Sequence, residues 1–203
     1  SQIRPHFIYN TLMSIYSLCK RDPQKARQIT KDFTNYLRKN FNAVASDSTI
    51  PFSMELEHTR AYLAVEQAQH EDMLSVDYDT PYTHFRLPPL TLQPIVENAL
   101  EHGVRSSENV ATITIRARLQ GENVVIEVED TGIGIPEDAA QHIFERFYRV
   151  DKSRSKEAGG TGLGLSIVKH AVLMHNGTIR LDSRPGEGSE FIVSIPNEPE
   201  DGM

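Results

Sequence analysis

The chain contains the stretch Asp130-Thr131-Gly132-Ile133-Gly134-Ile135-Pro136, which directly follows an alternating apolar run at 124–129. Alternation with a period of two predicts a strand, so a carboxylate stands at the strand end and two glycines follow it. Glycine adopts positive φ and leaves no Cβ between backbone and ligand, and a buried aspartate can accept a hydrogen bond from an amine such as that of adenine. The stretch therefore indicates the floor of a pocket, with a plain Asp-Thr-Gly turn as the alternative.

Two further stretches favour the pocket. Residues 92–103 are predicted to form a short helix in which Asn98 carries a carbonyl oxygen suited to a hard cation. Residues 159–165 are glycine-rich and lead into an apolar-periodic helix, whose N-terminal N–H groups could hold phosphate. One glycine run alone is weak evidence. These motifs in this order, with a phenylalanine-rich segment at 144–151, are strong evidence for a nucleotide site.

In this order the motifs resemble the N, G1, F and G2 boxes of the ATP-binding domain of sensor histidine kinases, in the superfamily that includes gyrase and MutL. The beginning of the chain resembles the phosphoacceptor box of the LytS-like branch of these kinases. That box reads Gln2-Ile3-Arg4-Pro5-His6-Phe7-Ile8-Tyr9-Asn10-Thr11-Leu12. The resemblance implies a Bergerat-type ATP-binding domain, ATP and Mg²⁺ as cofactors, and phosphorylation of His6.

Composition describes an ordinary globular protein. The chain has 203 residues and a formal net charge of -7, which argues against nucleic-acid binding and gives no support for docking on an anionic membrane. Its one cysteine, Cys19, suits a reducing compartment and is expected to be a small buried hydrophobe. No apolar run approaches the roughly 18 residues that cross a bilayer. The chain is thus predicted to be cytoplasmic, with any membrane segment in a preceding sensor region.

Residues 1–74 are predicted to form a phosphoacceptor and dimerisation domain. Residues 1 to about 44 show apolar spacings of three and four, which predict one long helix, and Pro51 suits the first turn of a second. Such an antiparallel hairpin buries too little surface alone, so two are expected to form a four-helix bundle in a homodimer. His6 and Asn10 are expected to face outward. The seam residues are Ile8, Leu12, Ile15, Cys19, Ala26, Ile29, Phe33 and Tyr36.

Residues 75–203 are predicted to form an α/β sandwich, which makes the whole chain α+β. Alternation predicts a strand near residues 76–78 and hairpins at 111–130 and 178–195. Helices are expected around Asn98, after Pro136 and at 162–175. Phe144 and Phe147 are expected in the core, and the polar tail from residue 197 is expected to fray.

The resemblance also implies roles for individual residues. Asp130 would bind the adenine amine, Asn98 would ligate Mg²⁺, and Arg149 would neutralise γ-phosphate charge. The γ-phosphoryl group would pass from ATP to His6 and then to an aspartate of a response regulator, and Asn10 would orient water in a reverse dephosphorylation. Close backbone approach to the nucleotide is expected at Gly132, Gly134, Gly160, Thr161, Gly162, Leu163 and Gly164.

Departures from the pattern leave alternatives open. Phe7 follows His6 where many such kinases carry an acidic base, so Glu97 is the candidate base, with a plain surface carboxylate as its alternative. Glu101 stands where a lysine is common. The rivals are an ATP-driven clamp of the gyrase type, disfavoured by Pro94 at the water-activating position, a serine kinase of the anti-sigma type, and a non-catalytic nucleotide-sensing dimerisation module.

Overall fold

The computed structural model describes residues 5–42, 49–69, 73–101, 110–150 and 162–200. Its helices are α1 (Pro5–Arg21), α2 (Pro23–Asn42), α3 (Phe52–Gln69), α4 (Leu92–Ala99), α5 (Glu137–Ala140) and α6 (Gly164–Met174). Its strands are β1 (Ile50–Pro51), β2 (Leu74–Asp79), β3 (Arg86–Leu87), β4 (Ala111–Gln120), β5 (Asn123–Asp130), β6 (Thr178–Arg184) and β7 (Gly188–Pro196).

The long first helix predicted from the seam is in fact two helices that meet at Asp22, so that prediction is wrong. Pro23 has no backbone N–H, and the Asp22 carboxylate accepts a hydrogen bond from the Lys25 N–H at 3.0 Å. Asp22 therefore caps α2 and Pro23 opens its first turn. The Asp-Pro pair is a local start signal that overrides the apolar spacing on either side of it.

The predicted seam is only partly buried. Ala26, Ile29 and Phe33 are at most 5% exposed, but Leu12 is 51% exposed. Cys19 is exposed as well, so the expectation of a buried thiol is wrong. Within α1, the seam residues Ile8 and Ile15 are partly buried against the core together with Leu18, so only one side of the predicted seam packs inward. The side chain of Tyr36 is not among those that the structure describes.

Helix α3 is buried on two sides. The predicted apolar face, with Phe52 and Leu63 fully buried, is confirmed, but the adjoining face with Glu55 and Tyr62 is buried too. The cause is that α1 and α2 cover one side of α3 while α4 and β2 contact another. Helix α3, predicted as the second helix of the hairpin, is therefore covered by other elements on both sides. His70, which belongs to the predicted face, lies outside the described residues. Pro51 belongs to β1, so the helix starts one residue later than predicted.

Five strands form one mixed sheet in the order β2-β4-β5-β7-β6. Both predicted hairpins are confirmed as antiparallel ladders, and β2 runs parallel to β4. The period-two pattern turns one face inward against α4 and α6. Its buried side chains include Ile113, Ile115, Val124, Ile126, Val128, Phe191, Val193 and Ile195.

The core runs without interruption from α2 and α3 into the sheet. A two-stranded ladder of β1 and β3 ties the start of α3 to the segment before α4, and the Phe52 and Phe85 rings stack 4.6 Å apart. The division of the chain at residue 74 is not tested by this packing and stays a prediction. No helix in the described ranges is both long and apolar enough to cross a membrane.

Two local expectations are wrong. Phe147 is 71% exposed, because the helix after Pro136 ends at Ala140 and Phe147 adopts φ +65, which turns its ring outward. The tail is also ordered as far as Glu200: Phe85 forms an antiparallel bridge with Pro199, and the Arg86 N–H donates to the Glu198 carbonyl at 2.8 Å. Long-range backbone pairing holds a segment whose polar composition suggested fraying.

Candidate functional site

Asp130 ends the inward row of β5, after Val124, Ile126 and Val128, so alternation points its carboxylate at the helix-covered face. Its side chain is buried, at 5% exposure, and accepts the Gly132 N–H at 2.9 Å. Burial raises the pKa of the Asp130 carboxyl to about 6, while backbone N–H groups of Gly132 and Ser189 limit the rise. A buried acceptor therefore stands where the sequence predicts the floor of a pocket.

The turn after Asp130 is fastened to the β6–β7 hairpin. The Ile135 N–H donates to the Ser183 hydroxyl at 2.8 Å, and the Gly186 N–H donates to the Ile133 carbonyl at 2.8 Å. The Ser183 hydroxyl in turn donates to the Gly188 carbonyl at 2.9 Å. Ser183 follows Ile135 by 48 residues, so a distant segment of the chain fixes the shape of this turn.

Close backbone contact explains two of the glycines. Gly134 has φ +69, and a Cβ on it would lie 2.1 Å from the Arg184 carbonyl oxygen. Gly188 has φ +109, and a Cβ on it would lie 1.9 Å from the carbonyl oxygen of Asp130. No side chain fits at either position, so both glycines are needed for the hairpin to hold the turn.

Helix α4 carries Asn98. It contacts both β5 and α6, and Asn98 is half-buried near its C-terminal end. The neighbouring Glu97 accepts a hydrogen bond from the Gln93 amide at 2.9 Å along the same helix. The candidate metal ligand Asn98 and the candidate base Glu97 are therefore adjacent on a helix that contacts both β5 and α6.

The start of α6 lies against α4. A Cβ on Gly164 would come within 3.4 Å of the Pro94 side chain. Leu163 precedes the helix and offers no side-chain cap, so its first turn receives no hydrogen bond from a capping side chain at that position. A helix start of this kind suits an anionic ligand.

The phenylalanine-rich segment meets the same helix start. The Phe147 N–H donates to the Gly162 carbonyl at 2.9 Å, and a Cβ on Gly162 would lie 2.9 Å from the Tyr148 carbonyl oxygen. Arg149, two residues beyond Phe147, is half-buried. The phenylalanine-rich segment and the glycine-rich segment, which are separate in sequence, are thus in backbone contact.

The structure links the described motifs in pairs: α4, which carries Glu97 and Asn98, contacts β5 and α6. Gly162, just before α6, contacts the backbone of Phe147, two residues before Arg149. Gly160 and Thr161 lie outside the described residues. His6 and Asn10 lie within helical backbone in α1, but their side chains are outside the described part of the chain. Their predicted outward orientation therefore stays a prediction.

Sequence reasoning missed three polar residues around this site. Glu55, 2% exposed, accepts the Leu92 N–H at the start of α4, and Ser183 and Ser189 hydroxyls meet at 2.9 Å beneath the turn. The Gly-Glu-Gly pattern at 186–188 signalled a hairpin turn, but nothing in it signalled contact with Asp130. A glutamate in the first turn of a helix is common, so Glu55 carried no local signal either.

Two family models together match most of the chain. The model described as "Histidine kinase-, DNA gyrase B-, and HSP90-like ATPase" matches residues 88–199, and the "Histidine kinase" model matches residues 1–74. The chain belongs to the histidine kinase family. The predicted α+β architecture with a Bergerat-type ATP-binding domain is thereby confirmed for this histidine kinase.

Similar proteins of known sequence also belong to the histidine kinases. "Sensor-like histidine kinase SenX3" of Mycolicibacterium smegmatis is 44% identical over 135 residues, which cover 66% of this chain and 35% of the relative. "Sensor protein LytS" of Bacillus subtilis is 29% identical over 199 residues, which cover 97% of this chain and 32% of the relative. The chain thus spans about a third of the length of each of these relatives. The predicted LytS-like character of the chain is confirmed.

A solved structure supports the fold. The catalytic domain of the histidine kinase ThkA, in a nucleotide-free form, aligns with a TM-score of 0.57 at 26% identity. The match covers 75% of this chain and 99% of that domain. This histidine kinase therefore shares the arrangement of sheet and helices that forms the site above.

Proposed function

We propose that this chain is the kinase portion of a two-component sensor, which transfers the γ-phosphoryl group of ATP to His6 and then to an aspartate of a response regulator. The observation that carries the proposal is that α4, which bears Asn98, contacts both β5, which ends at Asp130, and α6, whose first residue Gly164 lies against Pro94. A longer sensor would present this portion to the cytoplasm, where ATP and the regulator are found.

Adenine is proposed to lie on the Asp130 turn. Above pH 6 the carboxylate is largely ionised, and one of its oxygens already accepts the Gly132 N–H. The other can accept the exocyclic amine of adenine. Gly132 has no side chain beside it, which is proposed to leave room for a flat ring, while Gly134 allows the turn to pack on the Arg184 carbonyl.

The phosphates are proposed to lie between α4 and the start of α6. Asn98 would hold Mg²⁺, since an amide oxygen suits this hard cation, and a single protein ligand leaves positions for phosphate and water oxygens. Bound there, the ion would neutralise phosphate charge. The phosphates would contact the backbone of Gly160, Thr161, Gly162, Leu163 and Gly164, and Arg149 would add a positive charge.

Transfer requires a neutral imidazole at His6. A ring nitrogen lone pair forms the N–P bond as the bond between the γ-phosphorus and the bridging oxygen breaks, and ADP leaves with that electron pair. The proton on the other ring nitrogen is then lost, and Glu97 is the proposed acceptor. Asn10, one turn from His6, is proposed to orient water in the reverse, dephosphorylating reaction.

A homodimer with a four-helix bundle is also part of the proposal. Helix α1 exposes an apolar stripe at spacings of three and four, formed by Tyr9, Leu12, Met13 and Tyr16. Its members are between 51% and 76% exposed, which is unusual for residues of this size. A second copy would cover the stripe with its own.

Leu12→Glu tests this dimer. Burying a charge against the partner stripe is unfavourable, so the variant is expected to sediment as a monomer at concentrations where the unmodified chain is a dimer. Gln24→Glu, an exposed position on α2, adds the same charge elsewhere and is expected to remain dimeric. A dimeric Leu12→Glu protein would assign the interface to another face.

Labelling with γ-³²P ATP and Mg²⁺ tests the proposed function. The label is expected on the protein, stable in base and lost in acid, as for a phosphoramidate, and absent from His6→Gln. Acid-stable label would indicate a serine kinase. Free phosphate without labelled protein would indicate an ATP-driven clamp.

A further inference from the structure

The buried position of Glu55 is energetically unfavourable for a carboxylate. Glu55 lies in the first turn of α3 and is 2% exposed, and its Oε2 atom is buried with no hydrogen-bond partner in the described part of the chain. Burial raises the pKa of its carboxyl to about 7, despite backbone hydrogen bonds that favour the charged form. Burial of this carboxylate is costly, so its presence calls for a compensating contact, which the other oxygen makes.

The other carboxylate oxygen caps α4. Oε1 accepts the Leu92 N–H at 2.9 Å and the Gln93 N–H at 3.4 Å. Thr91, which precedes the helix, makes no side-chain cap hydrogen bond to it, and its hydroxyl donates to the Pro88 carbonyl at 2.7 Å. The cap of α4 therefore comes from a different helix, 37 residues earlier in the chain.

Backbone contacts hold the first turn of α3, where Glu55 lies, in place. Ile50 pairs with Leu87 in the β1–β3 ladder, and the Phe52 N–H donates to the Phe85 carbonyl at 2.8 Å. These contacts fix the first turn of α3 on the segment that leads into α4. Any rotation or shift of α3 must therefore move the start of α4.

We propose that Glu55 is a positioning residue that couples the phosphoacceptor hairpin to the nucleotide site by holding α4, and with it Asn98. This inference rests on the proposed function. Helix α4 is only eight residues long, and besides its buried face it is held by the Glu55 cap at its first turn. Glu55 holds one end and Asn98 lies near the other, so a change in the hairpin reaches the proposed Mg²⁺ ligand directly.

The test compares Glu55→Ala with Glu57→Ala, an exposed glutamate on the same helix. Loss of the cap is expected to weaken binding of Mg²⁺·ATP about tenfold by calorimetry. Binding of ADP without Mg²⁺, which does not need Asn98, is expected to change by less than about twofold. Glu55→Gln keeps an acceptor oxygen and is expected to recover Mg²⁺·ATP binding to within about threefold of the unmodified chain. Glu57→Ala is expected to match the unmodified chain with both ligands.

Equal weakening of both ligands in Glu55→Ala, or no weakening of either, would overturn the proposal and leave Glu55 a plain stabilising cap. If Glu55→Ala does not fold, Glu55→Asp replaces it, because its shorter side chain withdraws the carboxylate from Leu92, and the same outcomes apply. Absence of label on His6 in the unmodified chain would contradict the proposed function but leave the ratio of the two affinities measurable. The two failures are therefore distinguishable.

Discussion

Asp130→Asn is expected to weaken ATP binding by about 100-fold and to reduce labelling of His6 in proportion. The carboxylate has two acceptor oxygens, one for the Gly132 N–H and one for the proposed adenine amine. Asparagine has a single acceptor oxygen, so its NH₂ group must face one of these two donors. Calorimetry with ATP measures the loss.

The same change is expected to stabilise the fold above pH 6. Burial raises the Asp130 pKa from 3.8 to about 6, so the folded state holds a proton that the unfolded state releases. Stability from this group is therefore greatest below pH 4, falls as the pH rises toward 6, and stays low above it. A shift of this size corresponds to about 3 kcal/mol, which Asp130→Asn should recover at pH 7.5 and lose progressively toward pH 4.

Urea unfolding at several pH values measures this effect. Asp77→Asn, at an exposed position on β2, serves as the matched control and is expected to show neither the affinity loss nor the pH-dependent gain. Unchanged ATP affinity in Asp130→Asn would reject the adenine assignment. A stability gain that grows toward acid pH would reject burial as the cause of the raised pKa.

Gly188→Ala is expected to destabilise the fold by about 3 kcal/mol or more. Its φ of +109 disfavours any side chain, and the new Cβ would lie 1.9 Å from the Asp130 carbonyl oxygen. Asp130 and the residue after Gly188 are paired in the β5–β7 ladder, so the two backbones cannot separate without breaking ladder hydrogen bonds. Where the variant folds, displacement of Asp130 should also weaken ATP binding.

Gly186→Ala is the matched control for this prediction. Gly186 has φ +84 in the same turn, but a Cβ there would meet nothing within 4 Å. Only the conformational cost applies, and the expected loss is about 1 kcal/mol. Urea unfolding of both variants separates the two contributions; equal losses would mean that the contact with Asp130 has no energetic weight.

Local patterns were sufficient for most of the architecture. Period-two alternation predicted both hairpins, and the step from an inward strand row to a glycine turn predicted a buried carboxylate at Asp130. The order of the motifs predicted the family. Even the break at Asp22 has a local signal in the following proline, which the apolar spacing of the predicted seam does not reflect.

The sequence by itself determined the strands, the hairpins and the residues that carry the chemistry, because each depends on neighbours within a few positions. Tertiary structure alone decided that Glu55 caps α4, that the hairpin turn holds the Asp130 turn, and that the tail pairs with Phe85. These contacts join residues that are distant in the chain. The packing of helices and strands determines which residues meet in these contacts. The periodicity of the sequence contains no information about contacts between residues so far apart in the chain.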